Sequence, residues 1–352
     1  MNRLGPNTRA VHAGLPPAAQ GEPILPGPVL AAPFHLRGAA DSAEYGYGRD
    51  HNPTWTHLER AIGELDGGET VVFSSGMAAV TAVVLRLHPG QVLVACGDGY
   101  PGIRELAEHD LRPNGVHVRL VPTDTEAIVE AADGAALIWI ETPSNPKLDV
   151  VDLEAVSAAA RATGARLAVD NTVATPLGLR PLDHGAEFAM VSGTKALTGH
   201  GDVLLGAVSV RDAGLAEDLR EWRTRSGSIL GPFEAWLAHR SLATLGLRLE
   251  RSQANARALA DALSPRDDLT HVRWPGIGPL VSFALPTADA ADEFLDACQL
   301  VSVATSFGGV HSTAERRARW GTDDVPEGFI RFSAGCEDTE DLVADVLNAL
   351  ER

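Results

Sequence analysis

The chain has 352 residues, a hydrophobic share of 45% and a charged share of 22%, which is the make-up of an ordinary globular protein with a sizeable core. Its net charge of -18 argues against a nucleic-acid surface or an anionic membrane partner, and no apolar run approaches the roughly 20 residues that span a bilayer. The three cysteines, Cys96, Cys298 and Cys336, lie far apart with no CxxC, so neither a disulfide framework nor a metal site is expected, and a reducing, cytoplasmic setting is.

The opening MNRLGPNTRAVHAG lacks an apolar h-region and does not read as a secretory signal. Residues 1–44 are rich in Gly and Pro and are expected to form an irregular arm. The apolar Ile24, Leu25, Val29, Leu30 and Phe34 within it favour an arm laid across a neighbouring subunit. Next comes YGYGRDHNPT at 45–54. Tyr47 and Arg49, separated by glycines, look like a ligand loop, although an exposed turn would read the same way. Thr54 is expected to cap a helix whose Leu58, Ala61, Ile62 and Leu65 fall at helical spacing and which Gly67-Gly68 ends.

A short β-rich run, Thr70 to Phe73, leads into Ser74-Ser75-Gly76-Met77 and a helical stretch. Strand, small-residue turn and helix point free backbone N–H groups at an anion, and phosphate is the natural guest. The dinucleotide and P-loop glycine patterns are both missing. Apolar runs then recur at 91–95, 116–121, 136–140, 166–169, 187–191 and 204–210, with a helix expected at 152–162 between Asp152 as cap and Gly164 as stop. This alternation predicts a mostly parallel sheet with helices on both faces, whose ligands bind at the carboxyl ends of the strands. The strand-end residues are Asp98, Tyr100, Glu141, Asn145, Asp170, Asn171, Ser192 and Lys195. After about residue 211 the texture changes: 232–263 reads as one long helix, and strands at 280–285 and 329–334 with helices at 288–298 and 339–350 make a smaller α+β unit. The expected organisation is an arm at 1–44, an α/β domain at 45–222, and a linking helix with a C-terminal domain at 223–352.

Lys195 sits in VSGTKALTGHGDVLLG between two apolar runs. A buried lysine is costly when charged, and burial lowers its pKa until the amine is nucleophilic. With the hydroxyls of Ser192 and Thr194 beside it, the segment suggests a Schiff base to pyridoxal phosphate; a surface lysine in a strand connection is the plainer alternative. That cofactor also needs a carboxylate at its ring nitrogen, and Asp170 in VDNT, twenty-five residues earlier, is placed for it. Tyr100 could stack on the ring, and Asn145 in ETPSNP could donate to its phenolic oxygen.

These motifs, with SFGGVHS and FIRFSAGCED, stand in an order that resembles the Cys/Met-metabolism pyridoxal-phosphate enzymes, the cystathionine γ-lyase and γ-synthase (trans-sulfuration) family, over nearly the whole chain. The resemblance implies a type I aminotransferase-like fold and a homodimer, usually paired into a homotetramer, with active sites shared between subunits. It implies that Gly76, Met77, Ser192 and Thr194 bind the phosphate, that Tyr47 and Arg49 reach the neighbouring subunit's cofactor, and that Tyr100 stacks. Asp170 would hold the ring nitrogen, Lys195 would carry the cofactor and move protons, and Tyr100 would be the acid for the leaving sulfur. Arg331 would take the substrate's α-carboxylate, assisted by Asn145 and Ser306.

The activity implied is γ-elimination, cleaving L-cystathionine to cysteine, 2-oxobutanoate and ammonia. The alternative is γ-replacement on an activated homoserine ester, and a catalytically silent homologue is a third reading, which the intact residue set opposes. Three departures bear on the substrate. The chain is shorter than the family after Gly276 and again after Ser312; Pro101-Gly102-Ile103-Arg104 replaces the usual stretch after Tyr100; and His311 stands where an acidic residue is common, which would suit a distal carboxylate on the substrate.

Overall fold

The structure, a computed structural model, describes residues 4–39 and 42–352. Seven strands form the larger sheet: β1 (Glu69–Phe73), β2 (Val92–Cys96), β3 (His117–Val121), β4 (Leu137–Glu141), β5 (Arg166–Asp170), β6 (Phe188–Ser192) and β7 (Gly206–Val210). Their order is β1-β7-β6-β5-β4-β2-β3, and β7 alone runs antiparallel to its neighbours. The inner strands read as nearly continuous apolar runs because both faces are covered, whereas the edge strand β3 leaves His117, Arg119 and Leu120 exposed. Successive residues alternate between the two faces. Val71, Phe73, Leu93, Ala95, Trp139 and Met190 face one core, with Ala79, Val83 and Leu219 from helices Gly76–Val84 and Ala213–Ser226. Val94, Ile138, Ile140 and Val169 face the other, under helices Thr125–Ala131 and Leu153–Thr163. Asp152 and Gly164 cap that last helix as expected, the glycine in the left-handed region.

The smaller sheet has five strands: β8 (Thr270–Arg273), β9 (Leu280–Ala284), β10 (Ser302–Val303), β11 (Thr313–Arg316) and β12 (Phe329–Ser333), in the order β10-β11-β12-β9-β8. Only β10 and β11 pair in parallel. Phe283, Phe332 and Ile330 pack under helices Leu245–Leu263, Ala288–Ala297 and Thr339–Leu350.

Four sequence expectations need correction. The arm begins with a helix, Pro6–His12, whose Ala10 joins Ala13 against Trp55, Leu58 and Ala61. Gly14 closes this contact at φ +67°, where a Cβ would lie 2.5 Å from the His57 carbonyl oxygen. The cap of helix Pro53–Asp66 is Asn52, whose side chain accepts from Thr54 N at 2.8 Å; the Thr54 hydroxyl instead accepts from Val29 N and ties down the arm. The long helix is two, Pro232–Leu242 and Leu245–Leu263. It breaks because the Arg248 guanidinium takes the Ser241 carbonyl at 2.9 Å and the Ser241 hydroxyl turns back to Leu237 O. Helix Ala213–Ser226 and strands β8, β10 and β11 were not marked by sequence periodicity.

Candidate active site

The parallel strands β4, β5 and β6 end on Glu141, Asp170 and Ser192; Glu141 and Asp170 are direct partners, and β6 runs two residues past Met190, the partner of Asp170. Against these ends lie the N-terminus of helix Gly76–Val84, the loop carrying Lys195, and the loop Thr305-Ser306-Phe307 with Arg331 of β12 from the smaller sheet. Together they enclose a cavity of about 360 Å³, the size of a small-molecule site.

Lys195 holds its Nζ 2.7 Å from Ser306 Oγ and 5.2 Å from the centre of the Phe307 ring. Burial, and then the nearby Arg331 charge, bring the amine down from 10.5 to about 8; Glu315 and Asp170 pull the other way. Ser306 is itself at φ +77°, a conformation that costs a non-glycine residue energy and is held by its carbonyl, which accepts from Arg331 Nη2 at 2.9 Å.

Asp170 takes two bonds on one oxygen, from the Thr172 N–H at 3.0 Å and the Thr172 hydroxyl at 2.5 Å. Its other oxygen has no hydrogen bond among the described residues, and the residue lines the cavity. The Thr172 hydroxyl also accepts from Ser192 N at 2.8 Å, so one side chain fixes both the carboxylate and the end of β6. Burial raises Asp170, with the hydrogen bonds and Lys195 opposing. Glu141, which accepts from Tyr100 N at 2.8 Å, is raised well above the carboxylate range by burial and then by Asp170. Two buried carboxyls on adjacent strands resist carrying two charges, and the Asp170 charge adds to burial in raising Glu141.

Arg331 is buried. Its Nη1 donates to Asn145 Oδ1 at 2.7 Å, and its Nη2 to Ser306 O and Glu315. Sequence reasoning found Arg331 and Asn145 but missed Glu315, Arg317, Phe307 and Thr172, since residues on an unrecognised strand and a turn carry no periodic signal. Glu141 was visible only as a strand end.

The turn between β1 and helix Gly76–Val84 has the strand, turn and helix order expected of it. Ser75 caps the nine-residue helix by accepting from Ala78 N, which leaves Gly76 N and Met77 N without a partner among the described residues. Glycine is required at 76 because a Cβ there would stand 2.8 Å from Ser192 Oγ. Thr194 lines the cavity, but its hydroxyl both donates to and accepts from the Leu205 backbone, at 3.2 and 2.9 Å. Tyr100 lines it too, and burial raises its hydroxyl above the ordinary tyrosine range.

Three expected residues are not brought to this cavity. Tyr47 and Arg49 lie outside it, with Arg49 bonded to Thr224 O at 3.0 Å and stacked 5.5 Å over the Tyr47 ring. The resemblance assigns both to a neighbouring subunit's site. His311, expected at the substrate's distal end, is exposed and does not line this cavity. Its turn is pinned away from the cavity by Val310 N to Gly199 O at 2.9 Å and by Ser312, whose backbone N–H and hydroxyl donate to Glu337.

Pyridoxal phosphate fits what remains. Free N–H groups at a helix N-terminus, beside Ser192, suit its phosphate; the unbonded Asp170 oxygen suits a protonated ring nitrogen; and Lys195, with its lowered pKa, suits the aldehyde. No cluster that could hold a metal ion occurs among the described residues.

The sequence pattern of the family described as Cys/Met metabolism PLP-dependent enzyme matches residues 7–351. A Streptomyces coelicolor protein provisionally named cystathionine gamma-lyase is 54% identical, covering 99% of this chain and 94% of its own length. The Bacillus subtilis cystathionine gamma-synthase/O-acetylhomoserine (thiol)-lyase is 34% identical, covering 91% and 90%. The crystal structure of metB from Corynebacterium glutamicum superposes with a TM-score of 0.95 at 34% identity, covering 99% of this chain and 98% of that one. With the cavity described above, these similarities place the chain in the Cys/Met metabolism PLP-dependent enzyme family.

Proposed function

We propose that the chain cleaves the Cγ–S bond of L-cystathionine, giving cysteine, 2-oxobutanoate and ammonia with the uptake of one water. The observation that carries this reading is the placement of the Lys195 amine, of lowered pKa, in one cavity with Arg331 and Tyr100. The 54% identity to a lyase-named relative favours elimination over replacement.

Gly76, Met77 and Ser192 would hold the cofactor's phosphate and Asp170 its ring nitrogen, with Tyr100 against the ring. When bound, the cofactor supplies an electron sink for negative charge developing at Cα and Cβ. Arg331 would take the α-carboxylate with its guanidinium held in aim by Asn145 and Glu315. Lys195 Nζ, neutral above its pKa, would accept the Cα proton and then a Cβ proton, with the Ser306 hydroxyl fixing its position. The raised pKa of Tyr100 keeps its hydroxyl protonated near neutrality, so it can give that proton to the departing sulfur. Tyr47 and Arg49 would complete the phosphate site of a neighbouring subunit in a homodimer or tetramer.

The test is to incubate the cofactor-loaded enzyme with L-cystathionine alone and identify the products. Cysteine with 2-oxobutanoate supports the reading. Homocysteine with pyruvate would mean cleavage on the other side of sulfur. No turnover, alongside cystathionine formation from cysteine and an activated homoserine ester, would make the enzyme a γ-replacing transferase, as the Bacillus relative's name says of that protein.

A further inference from the structure

The wall of the cavity carries a cation that the mechanism above does not use. Arg317 follows β11, is buried, and lines the cavity. Its Nη1 donates to Glu315 Oε1 at 2.8 Å, and its Nε and Nη2 donate to Asp323 at 2.8 and 2.6 Å. Both carboxylates are buried and neither lines the cavity, so the guanidinium stands between them and the substrate space.

Its donors are incompletely engaged. Nε and Nη2 both bond to a single oxygen, Asp323 Oδ2, whereas a full fork engages two; Asp323 Oδ1 is buried without a partner among the described residues. Glu315 Oε1 is shared, since it also takes Arg331 Nη2 and the Thr305 hydroxyl. Of five guanidinium N–H groups, three are engaged, which leaves two.

Its position says what the remaining donors meet. Glu315 and Arg331 are direct partners across β11 and β12, and Arg317 bonds to the same Glu315 oxygen, so it neighbours the group assigned to the α-carboxylate. On its other side, Arg104, on the helix that Tyr100 opens, donates to Thr322 O and stands 4.0 Å from Asp323, which ties the Arg317 loop to Tyr100. The Arg317 charge is also among those that act on the Tyr100 hydroxyl. Arg317 therefore lies along the wall between the α-carboxylate holder and the acid for the leaving group, where a substituent on Cγ would pass.

We propose that Arg317 binds an anionic group on the substrate's γ-substituent, so that the cavity selects amino acids carrying a second carboxylate beyond Cγ. The inference rests on the assignment of Arg331 and Tyr100 in the proposed function. It gives to Arg317 the role that the sequence offered to His311, which lies outside the cavity.

The test uses cofactor-loaded wild type, Arg317→Met and Arg317→Lys with two matched pairs of substrates: L-cystathionine against L-methionine, and O-succinyl-L-homoserine against O-acetyl-L-homoserine. In each pair only the first carries the distal carboxylate. For the charged member, Arg317→Met should lower kcat/KM about 10- to 100-fold, mainly through KM, the range expected for a hydrogen bond to a charged group; the neutral member should change less than about threefold. Arg317→Lys should recover part of the loss for the charged member only. Equal losses for both members would overturn the proposal and make Arg317 a residue that merely positions Glu315 and Arg331. Should Arg317→Met fail to fold, the wild type decides alone, because no preference for the charged member of the succinyl and acetyl pair sinks the idea. A wild type that ignores cystathionine yet prefers the succinyl ester would refute the lyase reading and leave Arg317 in its role.

Discussion

Replacing Glu315 by Gln should be among the most damaging single-atom changes in the chain. The carboxylate is fully buried and bonds to Arg331, to Arg317 at 2.8 Å, to the Thr305 hydroxyl at 3.2 Å, to Trp320 Nε1 at 3.0 Å and to Arg319 at 3.4 Å. Gln keeps one acceptor oxygen and turns the other into a donor, so an NH2 would face either two guanidiniums or an indole N–H and a third guanidinium. Breaking a buried pair and leaving its cation uncompensated costs about 3–5 kcal/mol. At an unfolding entropy of about 2.1 cal/mol/K per residue, 352 residues give about 0.74 kcal/mol/K, so 3 kcal/mol lowers Tm by about 4 °C. Calorimetry of the cofactor-saturated proteins measures this directly. Burial raises the Glu315 carboxyl, but Arg331 first, then Trp320 and Arg317, outweigh it and hold it below its ordinary 4.5. Its contribution is thus complete above about pH 4.5 and is lost as the pH falls through the folded-state value, so wild type and Glu315→Gln should converge in acid. A single variant within about 1 kcal/mol of wild type, with no convergence in acid, would refute the view that this carboxylate holds the arginines.

The rate of elimination, followed as 2-oxo acid, should rise with pH through an apparent pKa near 8 as Lys195 loses its proton. Arg331→Leu, which removes a cation that depresses the amine, should move that limb upward; an unmoved limb would assign it to another group. Gly76→Ala puts a Cβ 2.8 Å from Ser192 Oγ and displaces the helix N-terminus, so cofactor affinity, titrated by absorbance, should fall roughly tenfold, equivalent to about 1.4 kcal/mol. Co-expressed Arg49→Ala and Lys195→Ala chains should regain about a quarter of wild-type activity, since half of randomly paired dimers are hybrids with one intact site; a mixture as dead as its parents would place Arg49 in its own subunit's function.

The larger sheet was legible because strands buried on both faces announce themselves as apolar runs and because Asp152 and Gly164 mark a helix chemically. The strand-end rule then collected Glu141, Asp170 and Ser192 before any contact was known. What the sequence hid was non-local. Thr313–Arg316 is a four-residue strand whose Glu315, with Arg317 just after it, looks like part of a solvated charge run, yet register against β12 buries Glu315 beside Arg331, and Arg317 bonds to that same carboxylate. The helix break at Ala243 was equally hidden, because the side chain that causes it, Arg248, lies beyond the break. The position of His311 in a motif likewise says nothing about how its turn is fastened, through Val310 to Gly199 and Ser312 to Glu337.

Arg248 does more than end a helix. Its guanidinium also takes the carbonyls of Ala196 and Leu197, at 2.6 and 3.1 Å, immediately after Lys195. It sits on helix Leu245–Leu263, which packs on the smaller sheet, the source of Ser306 and Arg331. One side chain thus rivets the reactive amine to the half of the molecule that would grip the substrate's carboxylate. The amine that would carry the cofactor and the guanidinium that would hold the carboxylate thus meet across one hydrogen-bonded joint between the two sheets.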